Sequence, residues 1–441
     1  MRKHVLIVLG IIVLIGIGVV TWLAWPDTAR LSVDQVAGAR PKIEVPREQT
    51  IPTVDIAKPV GWTNGAKPSV APGLTIQPFA SGLDHPRWLY QLPNGDVLVA
   101  ETNSPPRPSA GLVDRVMNFF LGQAGAAVPS ANRITLLRDT NGDGVADVKT
   151  PFMAGLNSPF GMVLFDGQLY IADTDALVRV PYREGETKIT ATPEKVVPLR
   201  PAGNHWARNV IASGDGRTLF VSVGSASNIA ENGLDAEKNR AAILQVWPQD
   251  KNWRIYAAGL RNPNGMALNP VNGRLWTVVN ERDMLGSDLA PDYLTQVEFG
   301  DHFGWPWYYW GGYPDNRVQP TNPPLQQYVK RPDYALGPHV AALGLTFAQG
   351  AKLGDRFAQG VFIGEHGSWN RKPPSGYKVV FVPFAGAFPV PNAKPIEVVG
   401  GFLNAKGEAQ GRPVGVIVDK TGGLLVADDV GNVVWKVSAA R

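Results

Sequence analysis

The chain has 441 residues, a formal net charge of +4 at pH 7 and no cysteine. It contains 48 glycines and 38 prolines while only 18% of its residues are charged, a balance typical of short strands and many turns, which predicts an all-β fold. The lack of cysteine excludes disulfides, thiolate metal sites and cysteine nucleophiles, and the absence of a basic stripe argues against nucleic acid as a partner.

An uncharged apolar stretch, VLIVLGIIVLIGIGVVTWLAW, occupies residues 5–25. At about 1.5 Å per residue, a helix of this length spans the ~30 Å hydrocarbon layer of a membrane. Arg2, Lys3 and His4 precede it, so the positive-inside rule places the N-terminus in the cytoplasm and exports the rest. Because no small-x-small cleavage site follows, residues 1–25 are predicted to be a cytoplasmic tip and a retained single-pass anchor, with a cleaved signal peptide as the alternative. We therefore expect the catalytic part on the periplasmic side of the cytoplasmic membrane.

Residues 26–73 are polar, rich in proline and weakly periodic, which indicates a linker or a strap lying on a domain. From residue 74 to 441 one pattern recurs: an apolar strand, a turn with Asn-Gly, Asp-Gly or Gly-Gly, and a second apolar strand. Its copies begin at Pro86, Pro159, Ala207, Pro263, Leu343 and Pro413. Six copies predict a six-bladed β-propeller, whereas the alternative, a β-sandwich with fortuitous turns, does not explain the recurrence.

Polar residues stand just before the first strand of several copies, where a propeller would direct them towards its central channel. They are His205, Arg261, Asn262, His339 and Arg412. A histidine can accept a proton near neutral pH, and several arginines can hold a multiply anionic ligand. The alternative is that each residue only closes a blade by hydrogen bonding. Arginine at several equivalent positions is harder to explain in that way, since unpaired buried cations are costly.

Six segments in chain order, HPRWLYQLPNGDVLVAE, GNHWARN, GLRNPNGMALNP, NERD, FGWPWYYWGG and GEHGSWNR, resemble the glucose/sorbosone dehydrogenase family. The resemblance covers roughly residues 74–437. It implies a six-bladed propeller that uses pyrroloquinoline quinone (PQQ) and calcium to oxidise a sugar, a sugar aldehyde or an alcohol. With a membrane tether, a quinone pool or a small cytochrome is the expected electron acceptor.

The resemblance also implies roles for individual residues. His205 matches the catalytic base that takes the hydroxyl proton as hydride leaves for the quinone. Arg261 and Asn262 match the pair facing the quinone oxygens, and Arg412 matches an arginine that grips a cofactor carboxylate. All positions implied to bind the cofactor, with two candidates for the family's lysine, are Arg261, Asn262, His339, Arg371, Lys372 and Arg412.

Two loops are candidates for calcium. In the family the ion is held largely by backbone carbonyls of a Gly-Pro loop, and Arg282 and Asp283 occupy the matching positions here, so a carboxylate is expected to join the shell. A separate loop, DTNGDGVAD, has oxygen ligands at the alternating spacing that calcium prefers, namely Asp139, Asn141, Asp143 and Asp147. Thr150 stands where an EF-hand has its bidentate glutamate, so an unoccupied turn is the alternative for this loop.

Substrate preference is not implied by the resemblance, because Ser225 stands where glucose-oxidising members have an acidic residue. Two rival functions remain open. A calcium-dependent propeller lactonase or esterase would line its channel with Asp, Asn and Glu more than with Arg, and a non-catalytic, tethered binding propeller is excluded only by an assay with cofactor. No HExxH, G-x-S-x-G or Walker motif occurs.

Overall fold

The recurring strand–turn–strand units form six antiparallel sheets around one ring, which confirms the all-β, six-bladed β-propeller. The computed structural model describes residues 25–106 and 128–440, together with the single positions 14, 16 and 18. Among these residues no helix is both long and apolar enough to cross a membrane. The anchor predicted over residues 5–25 lies almost wholly outside the described residues and stays a prediction.

Two strands precede the first blade along the chain, β1 (Ser69–Val70) and β2 (Leu74–Ser81). The strands of blade 1 are β3 (Pro86–Gln91), β4 (Val97–Glu101), β5 (Arg133–Arg138) and β6 (Val148–Ala154). Those of blade 2 are β7 (Met162–Phe165), β8 (Gln168–Ala172), β9 (Ala176–Pro181) and β10 (Glu194–Pro198). Those of blade 3 are β11 (Arg208–Ala212), β12 (Leu219–Val223), β13 (Ala242–Trp247) and β14 (Asn252–Ala258).

Blade 4 contains a two-stranded insertion, β18 (Tyr308–Tyr309) with β19 (Tyr313–Pro314). Its own strands are β15 (Asn262–Leu268), β16 (Leu275–Asn280), β17 (Pro291–Val297) and β20 (Tyr334–Pro338). Blade 5 comprises β21 (Ala342–Phe347), β22 (Gly360–Glu365), β23 (Lys378–Ala385) with its short partner β24 (Phe388–Pro389), and β25 (Ile396–Gly400). Blade 6 comprises β26 (Pro413–Val418), β27 (Leu424–Asp428) and β28 (Val433–Ala439). Short helices lie at Val33–Val36, Leu234–Glu237, Pro323–Tyr328 and Asp355–Phe357.

The ring is closed by an early strand. β2 pairs with β28 and so supplies the outer strand of blade 6, while β1 pairs with β25 at the outer edge of blade 5. The first strands of the blades contact one another in the order β3, β7, β11, β15, β21, β26 and back to β3. These inner strands therefore surround the central channel.

Residues 26–73, which we call the strap, lie on the propeller. The backbone N–H of Gly38 donates to the carbonyl of Ala335 in β20 at 2.8 Å, and that of Val60 donates to the carbonyl of Ala409 at 2.8 Å. Arg47 donates to the buried carboxylate of Asp288 at 3.0 Å. The strap therefore crosses blades 4, 5 and 6 before β2 closes the ring.

The glycine of the recurring Pro-x-Gly pattern allows the inner strands to approach each other. A Cβ added to Gly265 in β15 would lie 2.6 Å from the carbonyl oxygen of Leu343, and one added to Gly415 in β26 would lie 2.8 Å from that of Arg87. These distances are shorter than van der Waals contact, so a side chain at either position would force neighbouring blades apart. The second strands β4, β12, β22 and β27 are buried along their whole length because blades cover both of their faces.

Strand register determines where the polar side chains gather. In each blade the chain enters the inner strand beside the end of the second strand, as in the pairs Pro86–Glu101, Asn262–Asn280 and Pro413–Asp428. The residues before inner strands and those after second strands thus share one end of the channel, which we call the mouth.

Candidate active site

His205 precedes β11 at the mouth and is held in one tautomer. Its Nδ1 lies 3.0 Å from the carbonyl oxygen of Ser225 and 3.0 Å from the Ser225 hydroxyl oxygen. A carbonyl only accepts hydrogen bonds, so Nδ1 carries the proton and Nε2 has a free lone pair. Burial and the charge of Arg261 lower the pKa of His205 well below its usual value. The ring is therefore neutral near pH 7 and can accept a proton at Nε2.

Asn262 lies beside His205 because the intervening residue is a glycine. A Cβ on Gly224 would lie 2.7 Å from the Cβ of His205 and would clash with the amide oxygen of Asn262. That amide oxygen is buried and has no hydrogen-bond donor within the described residues. A buried acceptor without a partner is costly, so Asn262 has a position open for a donor on a ligand.

Arg261 anchors a network of charges next to His205. Its guanidinium donates to Asp283 Oδ2 at 2.9 Å, to Asn228 Oδ1 at 2.9 Å and to the carbonyl of Glu281 at 2.7 Å. Although burial opposes it, the charge of Arg261 and the contact with His339 bring the pKa of Asp283 to about 2. Asp283 is therefore a carboxylate throughout the physiological range.

His339 completes this network. Its Nδ1 donates to Asp283 Oδ1 at 3.2 Å and its Nε2 donates to the carbonyl of Gly286 at 3.1 Å. Burial lowers the pKa of His339, but the hydrogen bond and charge of Asp283 outweigh it and raise that pKa above its usual value. Arg261 and His339 thus share the carboxylate of Asp283, and the neighbouring buried acids Glu281 and Asp292 have pKa values that burial raises to about 7.

Arg412 lies on another part of the ring, before β26. It is 6% exposed, donates to the Tyr377 hydroxyl at 2.7 Å and lies 5.0 Å from the centre of that ring. Its Nε is buried without an acceptor, and no ion pair to a carboxylate is found for it in the described ranges. Arg412 is therefore a buried cation with unused donors.

Sequence reasoning missed a second charged cluster at the mouth. Asp429, which follows β27, pairs with Arg87 and accepts a hydrogen bond from His366 Nε2 at 2.8 Å, and His85 lies 3.5 Å away. Although burial opposes it, these neighbours hold the pKa of Asp429 well below its usual range. The signal was present, because the HPR segment stands before β3 just as His205 stands before β11.

Two predicted cofactor contacts are not brought to either cluster. Arg371 donates to the carbonyls of Ser287 at 3.0 Å and Pro373 at 2.7 Å. Lys372 is exposed, and its carbonyl accepts from Ala29 of the strap. Both residues thus contact the loop before β17 and the strap.

The Arg282–Asp283 loop does not offer calcium a free set of oxygens. Arg282 is buried against Asp315, and its Nε donates to the carbonyl of Asp283 at 3.1 Å. That carbonyl also accepts from the Asn228 amide at 3.1 Å, and both carboxylate oxygens of Asp283 already accept from Arg261 and His339. Among the described residues no group of three or more His, Asp or Glu side chains is arranged to hold a metal ion. Calcium at this loop stays a prediction.

The 139–147 loop joins β5 to β6 at the end of the blade opposite the mouth. Its oxygens bind the loop's own donors: Asp139 accepts from the amide of Gly142 at 2.7 Å, Asn141 from that of Asp143 at 2.9 Å, and Asp147 from that of Thr140 at 2.7 Å. Calcium bound here would be structural, and it too stays a prediction.

Comparison with known proteins agrees with this architecture. The family model described as TrAA12-like matches residues 112–303 and 310–440. A Borreliella burgdorferi protein, described as uncharacterized, is 30% identical over 294 residues, which are 64% of this chain and 76% of that protein.

Solved structures share the fold. The calcium structure of a Trichoderma reesei carbohydrate-active enzyme of family AA12 is 18% identical, with a TM-score of 0.69 over 86% of this chain and 100% of that chain. The holo form of the PQQ domain of pyranose dehydrogenase from Coprinopsis cinerea is 20% identical, with a TM-score of 0.68 over 87% of this chain and 100% of that chain. The resemblance to PQQ-dependent sugar dehydrogenases is thereby confirmed, and the chain belongs to the TrAA12-like family.

Proposed function

We propose that this protein is a membrane-anchored, exported quinoprotein dehydrogenase that oxidises a sugar, a sugar aldehyde or an alcohol with PQQ and calcium. The observation that carries the proposal is the neutral His205, which is held through Nδ1 by Ser225, is affected by the charge of Arg261, and has the unpaired amide oxygen of Asn262 near its Cβ. A neutral base next to fixed cations suits removal of a hydroxyl proton while a hydride leaves the same carbon.

The residues at the mouth fit an anionic, planar quinone. Arg87, Arg261, Arg412 and a protonated His339 lie there with the carboxylates of Asp283 and Asp429. Of the other acids at this end, Glu101 pairs with Arg133, and burial raises the pKa of Glu281 to about 7 and that of Asp428 to about 6. The unused donors of Arg412 suit a carboxylate. Asn262 Oδ1 is an acceptor and would take a donor such as the substrate hydroxyl, while Arg261, whose donors bind Asn228, Glu281 and Asp283, would act on the quinone oxygens through its charge. When bound, PQQ supplies the two-electron acceptor for the substrate's hydride.

His205 moves the proton. Its Nδ1–H stays hydrogen bonded to the Ser225 carbonyl, so the ring keeps its orientation while Nε2 takes the hydroxyl proton of the substrate. The imidazolium so formed is disfavoured by the charge of Arg261, which favours release of the proton after the substrate is oxidised. The Ser225 hydroxyl contributes no negative charge, so His205 is a weaker base than a histidine paired with a carboxylate would be.

The calcium part of the proposal is supported by the resemblance and by the calcium structure of the Trichoderma reesei enzyme. The lactonase alternative needs free acidic and amide ligands for calcium, whereas both carboxylate oxygens of Asp283 already accept hydrogen bonds from Arg261 and His339.

The test is reconstitution of the full-length protein in detergent. PQQ and calcium are added, and dye reduction is followed with a panel of aldoses, sugar aldehydes and alcohols, with lactone hydrolysis measured in parallel. We expect PQQ-dependent dye reduction with at least one substrate. Lactone hydrolysis without PQQ, or tight sugar binding with no dye reduction, would favour a rival function.

We also propose that the propeller is on the periplasmic side, on the basis of the apolar stretch and its basic flank. A reporter fused after residue 441 should be active only outside the cytoplasm. Activity confined to the cytoplasm would contradict this topology.

A further inference from the structure

A cavity of about 490 Å³ lies between the strap and blades 4 and 5. Its roof is the strap segment 29–36, and its walls come from the end of β20, the end of β22 and the loop 371–376. We call it the strap pocket. Its size is that of a site for a small organic molecule.

One wall of the strap pocket has an unused acid. Glu365, the last residue of β22, is 1% exposed, and both of its carboxyl oxygens lack a hydrogen-bond partner within the described ranges. Its cross-strand neighbour Lys378 does not pair with it, since the Lys378 ammonium lies 3.8 Å from Glu397 instead. Burial raises the pKa of Glu365 to about 8, so the group is a neutral hydrogen-bond donor at pH 7. A buried polar group without a partner points to a ligand that supplies one.

The rest of the lining sets the character of that ligand. Leu31, Leu336, Val340 and Val380 give the pocket an apolar surface. Three cations also line it: Arg30 is exposed, Lys378 lies 3.8 Å from Glu397, and Arg371 donates to the carbonyls of Ser287 and Pro373. A cationic ligand would meet Arg371, and it would find no carboxylate at Glu365 to neutralise it. An uncharged apolar molecule with a carbonyl oxygen fits best, because the neutral acid can donate to that oxygen while Arg371 and Lys378 already have acceptors of their own.

The position of the pocket relates it to the active site. Pro338 and Val340 line it, and the residue between them, His339, points the other way to bind Asp283 at the mouth. The predicted membrane span ends at residue 25, four residues before the roof begins. Four extended residues reach at most roughly 14 Å, so a membrane-inserted span would keep the pocket close to the bilayer surface.

We propose that the strap pocket binds a quinone as the electron acceptor, with Glu365 donating a hydrogen bond to a quinone carbonyl. This inference rests on the proposed function for its physiological meaning. The overall reaction balances: a CH–OH group loses two electrons and two protons to become C=O, and the quinone gains two electrons and two protons to become the quinol.

Binding is tested on the full-length protein without PQQ, by calorimetric titration with 2,3-dimethoxy-5-methyl-1,4-benzoquinone. Leu31→Trp fills the pocket from its half-buried roof and should weaken binding at least tenfold. Val45→Trp, at an 81% exposed strap position outside the pocket, is the matched control and should bind as the wild type does. No binding by the wild type, equal binding by Leu31→Trp, or tighter binding of decanoate than of the quinone would overturn the proposal.

A second measurement separates the pocket from the dehydrogenase activity. With PQQ, calcium and a sugar, Leu31→Trp should keep its dye-linked rate and lose at least tenfold in the quinone-linked rate. Absence of dye-linked activity in the wild type would contradict the proposed function. The titration without PQQ would still show whether the strap pocket binds the quinone.

The role of the acid has its own test. The charged groups around Glu365 are Lys378, Asp292 and Glu397, together with Arg30 and Arg371 of the pocket lining, and none hydrogen bonds to it. Wild-type quinone affinity should fall as pH rises through about 8 and the acid ionises, whereas Glu365→Gln, which keeps a donor, should show no such fall. Identical pH dependence in the two proteins would remove Glu365 from the site.

Discussion

Replacing Arg412 with methionine should separate cofactor binding from stability. Arg412 is 6% exposed, makes one hydrogen bond to Tyr377, and has a buried Nε without an acceptor. Removing a buried cation that lacks a carboxylate is typically neutral or stabilising, so the free energy of unfolding without cofactor should change by less than about 1 kcal/mol or should rise. In the holoprotein the variant loses a charge-assisted contact of ~1.5–3 kcal/mol, which corresponds to roughly ten- to a hundredfold in PQQ affinity.

The assay is a PQQ titration combined with urea unfolding of the cofactor-free protein. Arg371→Met is the matched control, because Arg371 is also an arginine with 5% exposure but donates to the carbonyls of Ser287 and Pro373. It should leave PQQ affinity unchanged and lose stability, since two carbonyls are left without donors. The reasoning is refuted if Arg412→Met keeps wild-type PQQ affinity. It is also refuted if Arg412→Met lowers the free energy of unfolding by several kcal/mol while Arg371→Met weakens PQQ binding.

Three further changes test other parts of the account. Ser225→Asp places a carboxylate next to Nδ1 of His205 and raises the pKa of His205, so the acidic limb of the kcat/KM profile should move to higher pH. If that limb does not move, His205 is not the base. Asp283→Asn leaves Arg261 and its neighbouring imidazolium without a buried counter-charge and should cost ~3–5 kcal/mol in urea unfolding. Because the pKa of Asp283 is lowered to about 2 from its usual 3.8, the stabilising effect of this carboxylate is present above pH 4 and is lost as the pH falls towards 2. If Asp283→Asn unfolds in acid just as the wild type does, Asp283 does not pair with Arg261 and His339. Calcium should raise the unfolding temperature of the wild type more than that of Asp147→Asn, with dye reduction unaffected because that loop lies away from the mouth.

Much of the architecture could be predicted because its signals are local. Asn-Gly and Asp-Gly turns between apolar runs indicate hairpins, and six such units leave few folds other than a propeller. The inner strand of each unit begins beside the end of the second strand, so His205, Arg261 and Arg412 could be assigned to one end of the channel without knowledge of any long-range contact.

The rest depended on contacts that the repeat pattern does not encode. The pairing of Arg87 with Asp429 joins blade 1 to blade 6, which become neighbours only when the ring closes. The contacts of Arg371 depend on the conformation of an irregular loop and on the strap. Likewise, the two hydrogen bonds that occupy the Asp283 carboxylate come from residues on other loops, so the sequence could suggest a calcium ligand there but not its engagement with Arg261 and His339.

The most direct test of the central claim is the anaerobic single-turnover rate at which a sugar substrate reduces bound PQQ, followed by absorbance in the wild type and in His205→Gln. His205 contacts Ser225 through Nδ1 and has a free Nε2, so the variant should fold and retain PQQ. Loss of a general base predicts a rate lower by ~10²–10⁴-fold at unchanged PQQ affinity. A wild-type rate of PQQ reduction in a fully loaded His205→Gln protein would contradict the account.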